Sequence, residues 1–213
     1  MNSSRAGRKN NVTLGYERQL WARGKNFVAG VDEAGRGPLA GPVVAAAVIF
    51  HHEFLIPEVN DSKLLSPMTR ERLYASIINN ALAVGVGIID HVTIDEINIL
   101  NATYKAMHVA IGKLRITPDH LLIDGNRFSG GAIPFTTIVD GDALSFSIAA
   151  AAIVAKVTRD RIMVDYDAVY PGYGFARHKG YSTKEHREAI FRLGFCEIHR
   201  RSFVMKTQLE VEW

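Results

Sequence analysis

Two spacings of apolar residues alternate along this chain. Short apolar runs of strand character stand at Phe27–Val31 (FVAGV), Pro42–Phe50 (PVVAAAVIF), Leu82–Ile89 (LAVGVGII), Leu121–Ile123 and Phe135–Val139. Most are bounded by glycine, proline or polar turn residues, as strands are. Between them the spacing becomes helical. Ser66-Pro67 supplies an N-cap followed by proline at the first helical position, which predicts a helix to about Asn80. Thr93-Ile94-Asp95-Glu96 fits a capping box, and Ile97, Leu100, Tyr104, Met107, Ile111 and Leu114 follow at helical intervals. Ala143 to Tyr170 reads as one long helix or two abutting ones, stopped by Pro171-Gly172, with an Ala149–Ala152 stretch narrow enough to lie close against a sheet. Ser182-Thr183-Lys184-Glu185 is a second capping box, and Gly194 ends the helix it starts.

Strands alternating with helices predict an α/β layer structure around a central sheet. The first two strands have no helix between them, so part of that sheet must be antiparallel. Residues 1–26 show no convincing apolar period and are expected to form a loose N-terminal arm, with Tyr16, Leu20 and Trp21 docking on the body. Residues 27–213 are expected to form the main domain.

Composition narrows the class. Hydrophobic residues make up 47% and charged residues 22% of 213, the profile of a soluble globular domain. The single cysteine, Cys196, allows no intrachain disulfide. The polar, basic N-terminus has no apolar core of a secretory signal, and the apolar runs are too short to cross a bilayer. A cytoplasmic, monomeric protein is expected. Net charge is only +3 but unevenly spread: residues 1–26 carry six Lys/Arg and one acid, residues 27–155 eight and thirteen, and residues 156–206 eleven and six. An acidic middle between basic ends suits carboxylates that hold cations beside cations that hold a polyanion, although such asymmetry is also common in ordinary soluble proteins.

Four acids stand where open sheets place their sites. Asp32 and Glu33 follow the first strand, Asp124 follows the Leu121–Ile123 strand, and Asp142 sits after Phe135–Val139 at a helix start. Neighbouring acids at strand ends repel unless something positive lies between them, and a hard cation such as Mg²⁺ answers that cost. Taken singly, Asp124-Gly125 and Gly141-Asp142 are also ordinary turn and cap dipeptides.

Two loops add candidate contacts. Gly35-Arg36-Gly37 has no bulk around its arginine, so a ligand can approach the backbone, as recognition of a ribose 2′-hydroxyl requires; a plain tight turn is the competing reading. In the loop PGYGFARHKGYSTKEH, Arg177, Lys179 and Lys184 offer phosphate contacts, and Tyr173, Phe175 and Tyr181 offer flat faces for a base or sugar. The competing reading there is a solvated loop pinned by its aromatics.

VDEAGRGPLAGPV at 31–43, NDSKLLS at 60–66, LIDGN at 122–126, GD at 141–142, AKVTRD at 155–160 and HKGYSTKEH at 178–186 together resemble bacterial ribonuclease HII, in order and spacing, from about residue 27 to about residue 203. The resemblance implies a ribonuclease H-like fold, a mixed five-stranded sheet flanked by helices with a helical C-terminal portion. It implies that Asp32, Glu33, Asp124 and Asp142 bind two divalent ions, Mg²⁺ or Mn²⁺, and catalyse phosphodiester hydrolysis. The substrates implied are RNA–DNA hybrids and duplex DNA containing single ribonucleotides, cut on the 5′ side to leave 3′-hydroxyl and 5′-phosphate ends.

By the same likeness Gly35, Arg36 and Gly37 read the 2′-hydroxyl, and Tyr181 stacks on the sugar of the following deoxynucleotide. Asn60, Ser62 and Lys63 help hold the backbone. Lys156 and Arg159, one helical turn apart, are further phosphate or structural contacts, and His178 is either a proton shuttle or a loop-fixing residue. One position departs from the family pattern: the usual AASIVAKV is AAAIVAKV here, with Ala152 where serine is expected. That loss leaves open an alternative, a weakly active or non-catalytic hybrid-binding protein of the same fold.

Overall fold

The computed structural model describes residues 12–203. The first eleven residues of the expected arm and the last ten of the expected main domain lie outside the described residues. Five strands, β1 (Val28–Ala34), β2 (Val43–Ile49), β3 (Ala83–Ile89), β4 (His120–Asp124) and β5 (Phe135–Ile138), form one sheet in the order β3-β2-β1-β4-β5. β1 pairs antiparallel with β2, and β2 with β3; β1 pairs parallel with β4, and β4 with β5. The sheet is therefore mixed, and β1, which carries Asp32 and Glu33, is its central strand.

The helices are α1 (Gly15–Trp21), α2 (Pro67–Asn80), α3 (His91–Gly112), α4 (Phe146–Val169), α5 (Phe175–His178) and α6 (Lys184–Leu193). One face of the sheet packs on α4 and α2 through Val44, Ala46 and Val48; the other packs on α3 through Val43, Ala45 and Ala47. Covered on both sides, β2 is buried at every residue, which explains its unbroken apolar run. The close approach of α4 depends on small residues. Ala149–Ala152 are all buried, and a Cβ on Gly30 would lie 2.1 Å from the backbone carbonyl carbon of Ser147. Residues of α5, α6 and the segment around Ile198 form a smaller core with Leu39, Ala40 and Met163, the helical C-terminal portion. Among the described residues no helix is long and apolar enough to cross a membrane.

Several element boundaries differ from those expected. α3 starts earlier, because Asp90 rather than Thr93 is the N-cap and accepts from the Thr93 N–H at 2.8 Å. Inside it Asn98 takes a left-handed conformation (φ 64°), and its side-chain oxygen accepts from Leu100 and Asn101, acting as a second cap within the helix. α6 is capped by Thr183, not Ser182. The stretch from 143 opens with a 3₁₀ turn, Gly141–Ala143, before Ser145 caps α4.

Part of the expected loose arm is a docked helix. Leu20 is buried, Trp21 stacks on His52 with ring centroids 4.5 Å apart, and the buried Glu17 accepts from Ser145 Oγ, Ser147 Oγ and the Ser147 N–H at 2.6, 2.7 and 2.9 Å. A seven-residue helix is too short to hold by itself. These tertiary contacts hold it, which is why apolar periodicity did not reveal it.

Candidate active site

Strand pairing brings the acids together. Val31 on β1 lies beside Ile123 on the parallel strand β4. The next residue on each, Asp32 and Asp124, therefore leaves the sheet at the same level and on the same face, since side chains alternate strictly along strands. Asp142 arrives from the 3₁₀ turn between β5 and α4. That turn is tied to Asp124, whose Oδ1 accepts from the Gly141 N–H at 2.8 Å. Glu33, next along β1, accepts from Arg36 Nη1 at 3.2 Å. All four acids line one cleft of about 230 Å³ at the ends of the central strands.

Charge is concentrated there. Burial, and then the neighbouring Glu33 and Asp124, push the Asp32 carboxyl well above the usual carboxylate range. Burial raises Glu33 as well, against the opposing pull of Arg36, and burial together with Asp142 raises Asp124. Carboxyls displaced upward in one cleft mark negative charge in want of a counter-charge. Lys63 supplies part of it: its Nζ donates to Asp142 Oδ2 at 2.8 Å. Burial opposes the Lys63 charge, but the Asp142 hydrogen bond and charge outweigh it and raise the ammonium above its usual range.

The donor set is all carboxylate oxygen, the chemistry of a site for hard divalent cations. As the side chains stand, no three acidic, histidine or cysteine groups among the described residues converge closely enough to hold an ion. Lys63 and Arg36 instead hold Asp142 and Glu33.

The expected nucleic-acid residues divide. Gly35, Arg36, Gly37, Ser62, Lys63, Lys156 and Tyr181 line the same cleft as the acids, and so does Ala152. Gly35 adopts φ 98°, and a Cβ there would lie 2.0 Å from Arg159 Nε, so packing as well as conformation demands glycine. The Tyr181 ring lies 6.0 Å from Lys156 Nζ and 5.9 Å from the Arg159 guanidinium carbon. Lys156 also pairs with Asp160 at 2.7 Å, and burial lowers its ammonium.

Asn60 and Lys179 do not line the cleft. The Asn60 side-chain oxygen accepts from the Asp61 N–H at 2.8 Å. The Lys179 ammonium turns back to the Ala176 carbonyl, beside an adjoining groove that Lys156, Arg70 and Arg177 also line. Arg159 is buried and donates only to backbone carbonyls, so of its two expected roles it fills the structural one. His178 is also buried. Its Nδ1 accepts from the Gly180 N–H at 3.2 Å and its Nε2 then donates to the Tyr173 carbonyl at 2.8 Å. With both nitrogens occupied, the ring fixes the loop.

The sequence profile of the family described as Ribonuclease HII matches residues 29–206. The chain belongs to the ribonuclease HII family. The ribonuclease HII of Acetivibrio thermocellus is 57% identical over 188 residues, covering 88% of this chain and 73% of that one. That of Acholeplasma laidlawii is 54% identical over 196 residues, covering 92% and 96%. Among solved structures, the ribonuclease H2 of Pyrococcus horikoshii superposes with a TM-score of 0.70 at 29% identity, covering 83% of this chain and 93% of that one. The fold is accordingly ribonuclease H-like, and the protein is a nuclease with ribonuclease H activity.

Beside the cleft stand residues to which sequence reasoning gave no role. Arg200 is 1% exposed and reaches the 35–37 loop. His186 and His199 face each other at 3.1 Å beneath the 178–181 loop, and burial lowers both to about 4, so they are neutral rings at physiological pH. His186 ends the HKGYSTKEH stretch, where nothing gives it a role of its own, and no local pattern marks His199 or Arg200. Arg200 lies in the basic run His199-Arg200-Arg201, where nothing distinguishes the buried arginine from its exposed neighbour.

Proposed function

We propose that this protein is an endoribonuclease that cuts the RNA strand of RNA–DNA hybrids and cuts 5′ of single ribonucleotides embedded in duplex DNA, leaving 3′-hydroxyl and 5′-phosphate ends. The observation that carries the reading is the shared cleft: four acids and the Gly35–Gly37 loop border one space, so a ribose at the loop sets its phosphate beside the carboxylates.

Asp32, Glu33, Asp124 and Asp142 would hold two divalent ions, Mg²⁺ or Mn²⁺, which when bound supply charge neutralisation for both the attacking and leaving oxygens. The chain's own groups do the rest. Lys63 neutralises Asp142 until substrate and ions enter, and then is free to take a phosphate oxygen. Arg36, whose side chain is about half exposed, is released from Glu33 in the same way. The loop backbone at 35–37 offers N–H and C=O groups to the 2′-hydroxyl, which donates and accepts. Tyr181 offers a ring face at the same cleft for the neighbouring sugar, and Lys156 beside it adds a phosphate contact. We further propose that the protein acts as a monomer in the cytoplasm, as its soluble composition suggests.

The test is cleavage of an end-labelled duplex bearing one ribonucleotide, with Mg²⁺, with Mn²⁺ and with EDTA, the cut position being mapped. A single cut 5′ of the ribonucleotide with either metal and none with EDTA is expected. Binding without cleavage under both metals supports instead the non-catalytic reading that Ala152 leaves open, and cleavage of all-DNA duplex removes the ribose-sensing role of the loop.

A further inference from the structure

Two fully buried guanidinium groups lie behind the cleft, and among the described residues neither pairs with a carboxylate. Backbone carbonyls satisfy them instead. Arg200 donates from Nε to Gly41 O at 2.9 Å, from Nη1 to Arg36 O at 3.0 Å, and from Nη2 to Gly35 O at 2.6 Å and Pro42 O at 3.1 Å. Arg159 donates from Nε to Pro42 O at 2.9 Å, from Nη1 to Lys179 O at 3.0 Å and from Nη2 to Ala40 O at 3.1 Å. Burying two like charges beside each other is costly, and apolar side chains of similar volume fill a core more cheaply. What a guanidinium adds is direction: five N–H donors in a rigid planar fork.

The direction matters at the loop. In a planar trans peptide the C=O and the N–H point opposite ways. Arg200 holds the carbonyls of Gly35 and Arg36, so the N–H groups of the same two peptides, on Arg36 and Gly37, must point away from Arg200. The cleft lies on that side, since Gly35, Arg36 and Gly37 line it and Arg200 does not. Among the described residues neither N–H has a backbone acceptor. Two parallel donors, fixed from behind and free in front, face the space beside the acids.

Arg159 ties this loop to the second one. It joins Pro42 and Ala40 to Lys179, while the Leu39 N–H donates to Gly180 O at 2.8 Å and the Arg200 N–H to Leu39 O at 2.9 Å. The loop that carries Tyr181 and the loop that carries Arg36 are thereby one piece.

We propose that Arg200 and Arg159 form a guanidinium clamp that positions the Arg36 and Gly37 N–H groups and sets their distance from Tyr181, and so determines how well ribose is distinguished from deoxyribose. The proposal rests on the reading of the 35–37 loop as ribose sensor. Neither arginine touches substrate; both are positioning residues. Preorganised donors bind at no ordering cost, and a buried donor left without its partner hydroxyl penalises the analogue that lacks it.

The experiment compares the Kd of an all-DNA duplex with that of the same duplex carrying one ribonucleotide, in an Asp124→Asn background with Mg²⁺ so that substrate is not consumed. The selectivity is the ratio of the two. Arg200→Lys keeps the charge but replaces the planar fork that meets four carbonyls with three donors on a single nitrogen, and is expected to lower the ratio about tenfold, the effect of misdirecting one recognition hydrogen bond. In Arg200→Ala, millimolar guanidinium, which can reoccupy the vacated site among the four carbonyls, is expected to recover part of the ratio. Asp95→Ala loosens the clamp from outside, because Asp95 accepts the N–H groups of Arg201 and Ser202 at 2.7 and 2.9 Å. It is expected to give a smaller loss in the same direction, and it carries the test if the Arg200 variants do not fold. A ratio well above one that survives both Arg200→Lys and Asp95→Ala, with both duplexes weakened equally or not at all, overturns the clamp and leaves the ribose reading standing. A ratio near one in the background protein removes both.

Discussion

The Nζ of Lys63 lies 2.8 Å from Oδ2 of Asp142, an exposed ammonium closing on a buried carboxylate from a loop 79 residues away in sequence. The Lys63 charge also lowers Glu33 and Asp124. The lysine therefore opposes the upward push of burial on those two carboxyls.

Replacing Lys63 with methionine removes that influence. The carboxyls of Glu33 and Asp124 then rise, and the acid limb of the pH profile of kcat/KM moves to higher pH. The expected displacement is about half a pH unit, since one partly exposed charge pair is worth about 1 kcal/mol or less. A profile measured at several Mg²⁺ concentrations checks this; an unmoved or downward-moving limb contradicts it.

Stability should show the opposite dependence. Asp32, Glu33 and Asp124 all have carboxyls raised in the folded protein. A group raised on folding favours the fold below its ordinary range, and that contribution is withdrawn as pH rises through the elevated value. In EDTA the melting temperature should therefore fall as pH rises from the ordinary carboxylate range toward neutrality. At neutral pH, Asp124→Asn should melt higher than the parent, gain less from added Mg²⁺, and lose cleavage by about two orders of magnitude or more, as loss of a charge-stabilising group does. Calorimetry with and without metal decides it. A variant that melts lower in EDTA would show that the acids are not under repulsive strain.

Gly30→Ala tests the packing that carries the site. The added Cβ would meet the Ser147 carbonyl carbon at 2.1 Å and the Ile148 nitrogen at 2.3 Å, both backbone atoms of a helix held along its length. Moving α4 away moves Asp142 with it. A loss of about 3 kcal/mol or more is expected, at the upper end of overpacking costs, together with loss of activity in the fraction that stays folded. Denaturant unfolding measures it, and a change under about 1 kcal/mol would mean α4 is free to shift.

Ala152→Ser should raise activity. Ala152 lines the cleft beside Lys156 and Tyr181, and a hydroxyl there gains one contact to substrate. An increase of about two- to tenfold in kcat/KM follows from a hydrogen bond worth about 0.5–1.5 kcal/mol. Stability should change little, because a helical serine can return its proton to the carbonyl four residues back. No gain in kcat/KM would show that the missing hydroxyl costs this chain nothing.

Much of the fold was legible because strand and helix periods are local properties. The runs at 42–50 and 82–89 and the helix from Pro67 to Asn80 appear almost where their spacing and caps placed them. Caps were less legible. Asp90 and Thr183 won over Thr93 and Ser182 because each has a partner N–H in reach, a choice made by chain direction on entering the helix. Helix α1 was missed because its stability comes from Glu17 meeting Ser145 and Ser147, residues about 130 positions away.

The sequence by itself determined the chemical inventory of this protein: four acids after apolar strands, a glycine-flanked arginine, and a basic aromatic loop. It also determined the layers, since an apolar run covered on both faces and an alanine-rich helix admit few arrangements. Only the tertiary structure decided which of those groups share a space. Parallel pairing of β1 with β4 sets Asp32 beside Asp124, and the turn before α4 delivers Asp142. The same packing leaves Asn60 and Lys179 off the cleft and puts Arg200 behind it. The reason is physical: apolar periodicity is written in neighbouring residues, whereas the placing of a carboxylate or a buried guanidinium depends on strand register and on hydrogen bonds between segments far apart in the chain.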